Sequence, residues 1–113
     1  MNEEFWKIID SLTLSSEIVI DRPKGTAHPR YGNCVYPFDY GYLKHSSSMD
    51  GGGIDVWVGS LQDRKVDAII CTVDILKRDS EIKLLVGCTE QEKETVLAFH
   101  NNSDFMKGIL IHR

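Results

Sequence analysis

The chain predicts an α+β domain built on a small, partly closed barrel. Three observations support this: about five strand-like runs dominate, two amphipathic segments read as helices, and no linker or repeat interrupts the 113 residues. Residues 1–113 are expected to form one domain with a single modest core. With 42% apolar and 27% charged residues, the composition is globular rather than disordered.

Residues 3–12 place Phe5, Trp6, Ile8, Ile9 and Leu12 at helical spacing, with Glu3, Glu4, Lys7 and Asp10 elsewhere on the wheel. Ser15 and Ser16 end this N-terminal helix. Glu17–Asp21, E-I-V-I-D, is short and β-branched, so it reads as a strand. Pro23 stops regular pairing, and R-P-K-G-T-A-H-P-R-Y is a loop with two prolines. Ile54–Gly59 is the next strand, and alternation puts Asp55 and Trp57 on one face and Ile54, Val56 and Val58 on the other.

Gln62–Lys65 is a polar turn. Val66–Leu76 and Ile82–Cys88 are two further strands, joined by K-R-D-S-E as a hairpin turn. Thr89-Glu90-Gln91-Glu92 matches a capping box, predicting a C-terminal helix to about Asn101 that docks by its late residues Val96, Leu97 and Phe99. Ser103-Asp104 would cap one more turn ending at Gly108, and Ile109–His112 closes the chain as a strand.

Charge and composition narrow the function classes. A net charge of −4 lacks the basic face expected of a nucleic-acid binder, so no nucleic-acid partner is expected. No apolar run approaches ~18 residues, so no membrane span is expected. The acidic start, M-N-E-E, lacks the basic region of a signal peptide. Cys34, Cys71 and Cys88 are odd in number and form no C-x-x-C pair, which predicts reduced thiols and a cytoplasmic location. Cys88 precedes a helix N-cap, where thiol acidity can rise, but no His stands beside it. His28, His45, His100 and His112 show no metal-ligand spacing, so zinc is not expected.

The chemistry concentrates between Tyr36 and Gly59. Asp50 and Asp55 flank a triple glycine at the mouth of a strand, a pattern that suits a hard divalent cation. It also suits an ordinary turn, since Asp and Gly dominate turns for conformational reasons alone. Asp79, Glu81 and Lys83 are spaced by two, so in an extended chain they point the same way. Lys24 and Arg30 on the proline-rich loop, with Tyr36, Tyr40 and Tyr42, are donors of the kind phosphoryl oxygens require.

Y-P-F-D-Y-G-Y followed by M-D-G-G-G-I-D-V-W-V resembles the soluble, Mg²⁺-dependent inorganic pyrophosphatase family. I-V-I-D-R-P-K-G (Ile18–Gly25) resembles that family's upstream element, and L-K-R-D-S-E-I-K-L (Leu76–Leu84) its later acidic hairpin. The resemblance implies an OB-like five-stranded barrel that hydrolyses inorganic diphosphate or another phosphoanhydride, with Mg²⁺ as cofactor. It implies Asp50, Asp55, Asp79 and Glu81 as metal ligands, Asp55 and Tyr40 as catalytic groups, and Lys24, Arg30, Tyr36 and Lys83 as substrate-binding groups. Asp21 falls where a glutamate near the site is usual. A homo-oligomer is left open.

This chain departs from the family pattern at named places. The middle aspartate of the metal motif, which accepts the water's proton, is Gly52 here. Asp39 is the nearest acid to stand in for it. Asn101-Asn102 after His100 replaces a Tyr-Lys phosphate clamp. A second expectation therefore stands beside hydrolysis: a weakened module that binds a metal–diphosphate or nucleotide ligand.

Overall fold

A computed structural model of the chain describes residues 2–48 and 51–113. Helix α1 runs over Glu3–Leu14, and the Asn2 side chain caps it by accepting the Phe5 N–H at 3.1 Å. Glu3 and Glu4 in its first turn complement the helix dipole. Its buried stripe is Trp6, Ile9 and Thr13, while Ile8 is 70% exposed and Phe5 packs edge-on against Trp6. Ile8 thus faces outward, contrary to the sequence reading, because the wheel offers room for only one of the two adjacent isoleucines on the core side.

Among the described residues six strands follow: β1 (Ile18–Arg22), β2 (Asp39–Leu43), β3 (Asp55–Val58), β4 (Val66–Asp74), β5 (Asp79–Val86) and β6 (Met106–His112). They form one open mixed sheet in the order β1-β2-β3-β5-β4-β6. All neighbours are antiparallel except β3 and β5, which run parallel. The expected five-stranded, partly closed barrel is therefore replaced by a six-stranded sheet whose edges, β1 and β6, do not pair.

The extra strand is β2, D-Y-G-Y-L. Its central glycine weakens strand propensity and hides it from a pattern reading. That glycine has a local reason. A Cβ on Gly41 would lie 1.8 Å from the Val19 carbonyl oxygen, where β1 bulges between Ile20 and Arg22.

Two other boundaries shift. The β4–β5 turn is residues 75–78, not K-R-D-S-E, because Arg78 adopts φ 58° and Asp74 Oδ1 accepts the N–H groups of Leu76 and Lys77. No helical turn follows Ser103; β6 begins at Met106 instead, and its N–H is received by Ser103 Oγ.

Helix α2 spans Glu90–His100 with the expected capping box: Thr89 accepts the Glu92 N–H, and Glu92 accepts the Thr89 N–H. The core lies in two layers, one on each face of the sheet, rather than one. Trp6 and Ile9 of α1 pack on Leu43, Val56, Ile69, Leu84 and Val86. On the other face, Val96 of α2 packs with Tyr36, Trp57, Ala68, Ile70 and Leu85. The predicted alternation in β3 holds: Trp57 joins the second layer, and Ile54, Val56 and Val58 join the first. Among the described residues no helix is long and apolar enough to cross a membrane.

Candidate functional site

The α2 face of the sheet carries a cleft of about 890 Å³. Strand register builds its floor. Tyr40 of β2 pairs with Trp57 of β3, and Tyr42 pairs with Asp55. The parallel β3–β5 seam sets Val56 beside Leu84, which brings Asp55 alongside Lys83. Three neighbouring strands thus deliver Tyr40, Asp55, Glu81 and Lys83 to one place.

Lys83 is the centre of this group. It is 4% exposed, and its Nζ donates to Asp55 Oδ2 at 2.7 Å and Tyr40 Oη at 2.8 Å, with Glu81 Oε1 further off at 3.5 Å. Burial works against the ammonium charge, but Tyr40 and Asp55 outweigh it and hold Lys83 above the ordinary lysine value. Burial likewise raises the Tyr40 hydroxyl well above a normal phenol, partly opposed by Lys83. Lys83 is therefore a fixed cation and Tyr40 a neutral hydroxyl at any physiological pH.

An aromatic wall stands behind this cluster. Tyr40 meets Trp57 at 4.7 Å between ring centroids, and Phe99 meets both Trp57 at 5.2 Å and Tyr36 at 5.3 Å. Trp57 Nε1 donates to His100 Nε2 at 2.9 Å inside the core. Burial, with a smaller contribution from the Lys83 charge, pushes His100 down to about 3, so it is a neutral acceptor. Arg22 donates to the Tyr36 hydroxyl and also lies 5.5 Å from that ring.

The predicted residues divide clearly. Tyr36, Tyr40, Asp55, Glu81, Lys83 and Arg30 all line the cleft, and so does Asp21. Lys24 and Asp79 do not. Lys24 lies with its Nζ over the Phe38 ring at 5.7 Å, and Asp79 opens β5 opposite Asp74, which lines the cleft while Asp79 does not. Asp39, the suggested substitute base, accepts the Lys24 backbone N–H at 2.8 Å and is likewise absent from the lining.

Asp50 lies outside the described residues. The neighbouring glycines behave as turn residues: Gly51 has φ +84°, and a Cβ on Gly53 would meet the Tyr42 ring at 2.6 Å. Among the described residues, no group of three His, Cys, Asp or Glu side chains is arranged to hold a metal ion. The two carboxylates in the Lys83 cluster, Asp55 and Glu81, are hard oxygen donors of the class Mg²⁺ prefers.

Sequence reasoning passed over Arg22, Tyr31, Phe99 and Phe105, which also line the cleft. Only strand pairing and loop placement bring them there, so no local pattern marks them. Cys88 is buried, and burial pushes its thiol up to about 12, the opposite of the acidity its place before α2 suggested. No protein-family model matches this chain, and no curated protein sequence matches it.

Proposed function

We propose that this protein is a Mg²⁺-dependent phosphoanhydride hydrolase whose simplest substrate is inorganic diphosphate. The observation that carries the reading is the convergence of Tyr40, Asp55 and Glu81 on buried Lys83, within one cleft that Arg30 and Tyr36 also line. These positions agree with the motif order that resembles the soluble inorganic pyrophosphatase family. On this reading the open sheet is a divergent counterpart of that family's OB-like barrel. The protein acts in the reducing cytoplasm, where Cys34, Cys71 and Cys88 persist as thiols.

Charge balance supports the need for a cation. Arg22, Arg30, Lys77 and Lys83 line the cleft, and Asp21, Asp55, Asp74 and Glu81 offset them. A diphosphate adds several negative charges to a neutral balance, so a divalent cation is required to compensate them. Asp55 and Glu81 would hold it. When bound, such an ion supplies charge neutralisation and acidifies a bound water. Lys83 is held in place before substrate arrives, and its longest contact, to Glu81, is the one a phosphoryl oxygen displaces.

The test is steady-state phosphate release from diphosphate, with and without Mg²⁺. Release should require Mg²⁺ and fall at least about a hundredfold in Asp55→Asn. No release from diphosphate or from nucleoside di- and triphosphates overturns hydrolysis. A second reading has its own support in Gly52, which brings no side chain to the position of the expected base. It holds that the site binds a metal–diphosphate ligand without turnover, and saturable Mg²⁺-dependent binding without phosphate release would favour it.

A further inference from the structure

We infer that the cleft takes a nucleoside polyphosphate, with its phosphates at the Lys83 cluster and its base on an aromatic rim formed by His28, Tyr31 and Phe105. The inference rests on the phosphate-binding reading above and names the ligand class for the same cleft. Size is the first argument. Pockets of roughly 300–1,000 Å³ enclose drug-sized molecules, and this cleft reaches about 890 Å³. A bare diphosphate occupies only the Lys83 end and leaves the rest to water.

The second argument is what lies away from that end. His28 and Tyr31 pack with ring centroids 5.0 Å apart, and Tyr31 and Phe105 with centroids 6.3 Å apart; all three line the cleft. They come from the proline-rich loop and from the segment before β6, so two distant parts of the chain meet to make one apolar rim. Tyr31 is 44% exposed, which leaves much of its ring open to a ligand. Every base has a π-face that stacks on such a ring, whereas inorganic diphosphate has nothing to place there.

His28 links the two ends of the cleft. Its Nδ1 accepts the N–H groups of Arg30 at 3.0 Å and Tyr31 at 3.3 Å, so its ring proton resides on Nε2. Burial, with the nearby Arg22, Lys77 and Arg30 charges, lowers its basicity and keeps the imidazole neutral. Its ring stacks over Tyr36 at 6.2 Å, which ties the rim to the aromatic wall behind Lys83. The net charge of −4 favours a free nucleotide over a polymer, which would need a basic track for its backbone.

The experiment titrates the full chain calorimetrically with MgADP, MgGDP, MgUDP and magnesium diphosphate, alongside Tyr31→Ala and Phe105→Ala. The expected result is nucleotide binding tighter than diphosphate binding by about tenfold or more, with that preference lost in Tyr31→Ala and diphosphate affinity unchanged. Tyr31 is exposed enough for its truncation to leave the fold intact, so it decides the matter should Phe105→Ala misfold. Nucleotides binding no tighter than diphosphate, or both ligands weakened equally by Tyr31→Ala, overturns the inference. Rim-dependent nucleotide binding without phosphate release sustains it and sinks hydrolysis. Diphosphate hydrolysis without a rim-dependent preference sinks this inference alone.

Discussion

Acidification should unfold this protein through His100. The side chain is buried beneath Trp57, whose Nε1 donates to His100 Nε2 at 2.9 Å, and only a neutral imidazole can accept there. Its folded value is about 3, against 6.5 ordinarily. The unfolded chain therefore binds a proton between those limits that the native chain refuses, so stability falls as pH drops below 6.5 towards 3. Each pH unit in that window withdraws about 1.4 kcal/mol, so a fall to pH 4.5 withdraws roughly 3 kcal/mol. That is a large share of a stability of about 5–15 kcal/mol.

Urea denaturation at pH 7 and pH 4.5, followed by the fluorescence of the tryptophans, measures the effect. His100→Gln serves as the comparison, because its amide oxygen still accepts from Trp57 but does not titrate. Asp10, held low by its hydrogen bond to Arg113, and Glu92, held low by the N–H groups of Thr89 and Ser60 despite burial, also lose stabilisation in acid. Both proteins share those losses, so they cancel in the difference. If wild type and His100→Gln lose stability in parallel between the two pH values, the buried neutral imidazole is not what resists protonation.

Two further substitutions probe the frame of the site. Gly41→Ala drives a methyl group into the Val19 carbonyl, a backbone atom that cannot step aside, and should destabilise by about 1–3 kcal/mol or more in thermal denaturation. It should also loosen β1 from β2 and weaken the Arg22–Tyr36 contact that this pairing supports. Thr89→Ala removes one half of the α2 capping box and should lower the unfolding free energy by about 1 kcal/mol in urea denaturation, with no change in ligand affinity because the cap lies outside the cleft.

The elements readable from the sequence are those with a local cause. The capping box at Thr89, the alternation through Asp55–Val58 and the serine stop after α1 each depend on neighbours within a few residues, and each appears in the fold. β2 escaped because its reason for being a strand is tertiary: Gly41 lies where β1 crosses closely, and Tyr40 and Tyr42 gain their partners only across the sheet. The same division runs through the site. Spacing by two aligns Glu81 with Lys83, whereas Asp55 and Tyr40 reach Lys83 through the pairing of β2, β3 and β5. Asp79 shares their alternation but does not line the cleft, although its cross-strand partner Asp74 and the turn residues Leu76 and Lys77 do. Lys24 stands outside the cleft lining because its N–H donates to Asp39 and its Nζ lies over the Phe38 ring.

The parallel seam between β3 and β5 governs the order in which the site can come into being. β5 is laid between β3 and β4, so the β4–β5 hairpin must form and then dock against a strand that preceded both. Asp55 and Lys83 stand on opposite sides of that junction, 28 positions apart along the chain. Bringing such distant segments together is entropically late and slow compared with closing a hairpin. Until that junction closes, Lys83 lacks Asp55, and the two core layers on which α1 and α2 pack are themselves incomplete, because each draws residues from both sides of it. The Lys83–Asp55 contact and the packing of both helices are thus tied to one event, the closure of the sheet between β3 and β5.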